Sequence, residues 1–82
     1  MNNTLNFRKV IKNQAEKAKM YFELAIEYYP QSANAYDSMA DYYEAQKDIP
    51  NAIKFVQKAY ELSNDEYYKN RIKSFVTKEE FN

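Results

Sequence analysis

Cysteine, histidine and glycine are all missing from this chain of 82 residues. Without Cys and His there is no thiol nucleophile, no disulfide, no zinc site of the usual kind and no imidazole base. Without Gly there is no phosphate-cradling glycine-rich loop and no glycine-dependent hairpin turn. Proline occurs only twice, as Pro30 and Pro50. No apolar run approaches the roughly 20 residues of a membrane span. The opening Met1–Arg8 lacks the apolar segment of a signal peptide.

What is present reads as one small globular domain. Apolar residues make up 45% and charged residues 29% of the chain, outside the range of disordered sequences. A domain of this size buries only about 60% of its unfolded surface, so its core has little margin. Twelve basic and twelve acidic side chains cancel, which argues against a general nucleic-acid binder. The charge is unevenly spread: five basic against one acidic residue in 1–19, three against nine in 20–66, four against two in 67–82.

The apolar spacing predicts helix throughout. Ala18, Phe22, Ala25 and Tyr29 fall three and four apart, with Tyr21 and Tyr28 beside them, which is one buried helical face. Pro30 ends that helix, and Ser32 is suited to cap the next. Tyr36, Met39, Ala40 and Tyr43 repeat the spacing over 33–46. Lys47-Asp48-Ile49-Pro50 breaks the run, with proline tolerated in the first turn of a third helix over about 50–62. That helix carries Ala52, Ile53, Val56, Ala59 and Tyr60. Ser63 and Glu66 stand at capping-box spacing before a last helix, about 65–76, with Tyr68, Ile72, Phe75 and Val76. Thr77–Asn82 reads as a polar, fraying tail. At the front, Leu5, Phe7, Val10 and Ile11 predict a short helix, separated by a turn at Asn13-Gln14 from one starting near Ala15.

Helices joined by such short turns pack as antiparallel neighbours, and here the pairs repeat. A shift of 34 lays Ala18 on Ala52, Phe22 on Val56, Ala25 on Ala59 and Glu27 on Glu61, and sets Leu5 on Met39. Two helices per 34 residues is a known repeat period. On Tyr36, Met39-Ala40, Tyr43, Ala52, Val56 and Ala59, with Ala18, Phe22, Ala25 and Pro30 in the preceding unit, the chain resembles the tetratricopeptide repeat family. Asn6, Lys9, Lys47 and Asn64 depart from the residues usual there. The resemblance implies an all-α tandem of antiparallel helical hairpins: an incomplete first repeat over 1–32, a second over 33–66, a capping helix over 67–76 and a tail over 77–82. The string Tyr29–Ser38 also resembles repeats at the C-terminal end of some bacterial serine hydrolases of esterase or β-lactamase-like type. That likeness implies an accessory segment with no catalysis of its own. The compartment stays open: cytoplasmic if the chain is complete, exported if it is a piece of a secreted hydrolase.

The family resemblance implies a protein–protein interaction module, with first helices lining a groove. On the second helix, the face away from the core carries Asn34, Asp37, Asp41 and Glu44, one stripe by their spacing. Tyr68 and Arg71 fall in a comparable place on the last helix. The stripe is either a solvated face or a site for a basic or amide-rich peptide. Asp37 and Asp41 would repel the partner carboxylate that the family's best-known groove clamps. Asp37, Asp41 and Glu44 make a poor Ca²⁺ site, since one helix cannot wrap six oxygen ligands around an ion. Asp37 and Asp41 have neither loop nor second domain to make an enzyme of them, so neither catalysis nor a cofactor is expected. Nucleic-acid binding through Arg8, Lys9, Lys12, Lys17 and Lys19 is opposed by the acidic middle of the chain. The same basic residues surround Leu5, Phe7, Val10 and Ile11, which makes that first helix a candidate for self-association against the acidic body.

Overall fold

The computed structural model of the chain describes the backbone of residues 3–81 and the side chains of 13–77. Four helices follow one another: α1 Asn3–Tyr28, α2 Ala33–Ala45, α3 Ile49–Ser63 and α4 Glu66–Phe81. Among the described residues there is no strand.

The expected turn at Asn13-Gln14 is absent, and α1 runs unbroken for 26 residues, about 39 Å at 1.5 Å per residue. Asn and Gln cost a helix well under 1 kcal/mol each, and the segment has neither the Gly nor the Pro that would stop it. The first unit is therefore one long helix, not a hairpin. Leu5, Phe7, Val10 and Ile11 lie in α1, but their side chains are outside the described residues.

Pro30 does end α1. The Tyr29 amide still donates to the Ala25 carbonyl at 2.8 Å, and the Ser32 amide then donates to the Tyr29 carbonyl at 3.0 Å to close the turn. Ser32 caps α2 by accepting from the Ala35 amide at 3.3 Å. The Tyr36 hydroxyl reaches back to the Pro30 carbonyl at 2.8 Å, tying the turn to α2.

After α2 the Lys47 amide donates to the Glu44 carbonyl and the Asp48 amide to the Tyr43 carbonyl, both at 2.9 Å. This is a Schellman closure, with Lys47 in the left-handed position at φ 62°, where Gly is the usual occupant. Asp48 caps α3, accepting from the Asn51 amide and, at 2.7 Å, from the Asn51 side chain. α3 ends at Asn64, also left-handed at φ 56°.

The capping box predicted from Ser63 and Glu66 does not form. Ser63 is the last residue of α3, its hydroxyl donating to the Ala59 carbonyl at 2.9 Å. Asp65 opens α4 instead, accepting from the Tyr67 amide at 2.9 Å. α4 then continues to Phe81, through most of the segment read as a fraying tail.

The core sits where α2, α3 and α4 meet. Ala40, Ala52 and Val56 are fully buried and Phe75 is 1% exposed, with Tyr43, Ile49, Ile53, Phe55, Tyr68 and Ile72 packed around them. Ala40 and Ala52 are small enough to let α2 and α3 approach closely. Phe55, which the spacing argument passed over, stacks on Tyr43 at 5.5 Å between ring centroids and lies 6.5 Å from Tyr36. Val76, by contrast, is exposed. α1 packs on α2, where the Lys19 ammonium lies 5.8 Å from the Tyr42 ring centroid and 6.0 Å from that of Tyr43.

Candidate functional site

α2 leaves Asn34, Asp37, Asp41 and Glu44 off its core-facing side because Ala35, Met39 and Ala40 take that side. α4 is held to the hairpin by Phe75, Ile72 and Tyr68. Arg71 stands one helical turn before Phe75, and that placement sends its side chain toward the acidic stripe of α2.

The result is a three-carboxylate cluster around one guanidinium. Arg71 donates through Nη1 to Asp37, and through Nη2 to Asp41 at 2.5 Å and to Glu44 at 3.1 Å. Its guanidinium carbon also lies 5.1 Å from the centroid of the Phe75 ring, within range of a cation–π contact. The Arg71 side chain is 13% exposed and that of Asp37 16%, whereas Asp41 remains 62% exposed. Three carboxylates against one guanidinium leave a net charge of −2.

The ionisation of the cluster follows from burial. Asp37 is raised above its ordinary value because burial, joined by the nearby Asp41 charge, opposes its ionisation against the Arg71 field and hydrogen bond that favour it. Burial also opposes the Arg71 charge, but the Asp41 hydrogen bond and the Asp37 and Asp41 fields outweigh it, so Arg71 is held above its ordinary value. Burial and the nearby Asp37 charge both raise the Tyr68 phenol.

Of the residues that the sequence reading placed along the groove, the structure brings four together. Asp37, Asp41, Glu44 and Arg71 do converge. Yet Arg71 lies among the acids as their internal partner, which the sequence argument did not foresee. The position a cation would take between the carboxylates is filled by the guanidinium, and among the described residues no cluster of metal-ligating groups forms. Asn34 is exposed at the start of the stripe. Tyr68 is only half available, since part of its ring packs on the core. A surface hollow of about 380 Å³ lies apart from the cluster, lined by Tyr36, Lys54, Phe55, Gln57, Lys58 and Glu61.

The family model described as tetratricopeptide repeat matches residues 9–32 and 33–66. The first match starts eight residues inside the unit read from the sequence. No curated protein and no solved structure matches the chain, so the likeness to hydrolase C-terminal repeats rests on the Tyr29–Ser38 string alone. The two matched segments cover more than half of the chain and meet at the α1–α2 turn, where the packing of helical pairs begins. On that match, and on an all-helical architecture that agrees with it, the chain belongs to the tetratricopeptide repeat family.

Proposed function

We propose that this chain binds a basic or amide-rich segment of a partner protein along the α2 stripe, beside α4. Repeats of this family mediate protein–protein interaction, using surfaces built by stacked helices. The observation that carries the finer reading is the exposure of Asp41, whose side chain stays open to solvent beside Arg71. Asp37 is committed to Arg71. Asp41, whose side chain is exposed, and Asn34 are the groups that meet a ligand. A ligand carboxylate meets repulsion on this face; a lysine, an arginine or a side-chain amide meets acceptors.

Asp37→Lys would break the Arg71 cluster and confuse folding with binding. Asp41→Lys is the cleaner probe, because Asp41 is the most exposed of the three acids. On a peptide array, the native chain should favour basic peptides and Asp41→Lys should lose that preference, with circular dichroism unchanged. Identical preferences before and after the substitution would remove the α2 stripe from the binding face.

A further inference from the structure

α1 has two apolar faces. One, made of Ala18, Phe22, Ala25 and Ile26, is half-buried against α2. The other carries Met20, Tyr21, Leu24 and Tyr28, exposed by 61%, 69%, 42% and 72%. At 100° per residue these four form one stripe on the side of α1 away from α2. Lys17 continues the stripe and, with Met20, Tyr21 and Leu24, lines a hollow of about 270 Å³.

Nothing within the described chain covers this stripe: α1 packs against α2, and among the described residues against neither α3 nor α4. The radius of gyration is 14.7 Å, whereas a compact chain of this length has about 12 Å. The smallest extent is 15 Å, so the helices form a thin layer with α1 at its margin.

The charge along α1 says what fits there. Over residues 3–19 the sequence has Arg8, Lys9, Lys12, Lys17 and Lys19 against Glu16 alone. Over 20–28 it has Glu23 and Glu27 and no basic residue. Two such helices side by side and parallel set basic against basic and acidic against acidic. Reversed, each basic half lies along the acidic half of the other.

We infer that a second copy of this chain covers the stripe, with the two α1 helices antiparallel. The two-fold axis then falls near residue 19, toward the C-terminal half of α1, and Lys17 of each copy lies near Tyr21 of the other. Two tyrosines exposed by about two-thirds, each offering roughly 150–250 Å², with Met20 and Leu24, supply about 500 Å² per copy. That approaches the roughly 1,000 Å² total that a specific interface requires. The site lies on a different helix from the α2 stripe and does not depend on it.

Sedimentation of the full chain tests the pairing. A concentration-dependent dimer is expected, and Tyr21→Glu with Leu24→Glu should weaken association by about a hundredfold or more, because four charges then enter an apolar seam. Both residues are exposed, so the helical circular dichroism signal should persist. The chain has no cysteine, so orientation is read by mixing two single-cysteine variants, Asn13→Cys and Glu27→Cys, under mild oxidation. Disulfides between position 13 and position 27 are expected. A monomer at all concentrations overturns the proposal, as does preferential linking of 13 to 13. Asp41→Lys should leave the dimer intact, and the Tyr21 and Leu24 substitutions should leave peptide preference intact, so the two readings fail separately.

Discussion

Arg71 on α4 donates to Asp37 on α2 across 34 residues of sequence, one full repeat length. The bond joins the last helix to the first helix of the hairpin it covers, while the packing between them passes through α3. It therefore closes the polar edge of a contact whose apolar part is Phe75 against Ala40, Ala52 and Val56.

Removing the guanidinium should cost more than an ordinary surface ion pair. Arg71→Ala leaves three carboxylates on one face of α2 with no cation between them and strips the stem from over Phe75. A loss of about 1–3 kcal/mol is expected, between the values for exposed and buried pairs. Arg71→Lys keeps the charge but not the fork that reaches separate carboxylates, and should recover only part of the loss. Urea unfolding of the three proteins measures the series. Equal midpoints would show that the cluster contributes nothing to the fold.

Asp37 gives the cluster a definite pH dependence. Its folded pKa lies above the unfolded value of 3.8. Across the window from 3.8 up to the raised value, the folded chain binds more protons than the unfolded one. The contribution of Asp37 is thus fully present below that window and declines as pH rises through it. Replacing Asp37 with Asn should flatten this slope, and carbon-detected NMR titration of the carboxyl should place its midpoint above 3.8. A midpoint below that value would reverse the sign.

Lys47 holds a left-handed backbone at φ 62°. A side chain there costs roughly 1–2 kcal/mol, partly offset because Gly loses more entropy on folding. Lys47→Gly should therefore stabilise the chain by about 0.5–1 kcal/mol. Thermal melts check it: a lower melting temperature would mean that the Lys47 side chain contributes more than its conformation costs.

The α2–α3 hairpin was legible because its signals are local. Pro30, Ser32, Asp48 and Pro50 mark ends through backbone chemistry, and Ala40, Ala52, Val56 and Ala59 mark the buried side through spacing alone. α1 misled because Asn tolerates the left-handed geometry of a turn, so Asn13-Gln14 read as a break where the same residues permit an uninterrupted helix. Asp65 and Ser63 compete for one capping role, and sequence spacing cannot choose between two oxygens two residues apart. The acidic stripe was visible in periodicity, and so was the comparable placement of Arg71. That one guanidinium would join three of its members was not, since it depends on how closely α4 approaches α2. Phe55 was missed because the small residues beside it already satisfied the helical pattern.

An unbroken α1 also decides where this molecule can bend. A helix of 26 residues without proline or glycine has no joint along its length, so it behaves as a rod. Any change of angle between that rod and the remaining three helices is concentrated in Tyr29–Ser32, and the Tyr36 hydroxyl spans the pivot by holding the Pro30 carbonyl. A force applied at the far end of α1 is geared down to a small rotation at four residues, braked by that hydrogen bond and by the packing of α1 on α2.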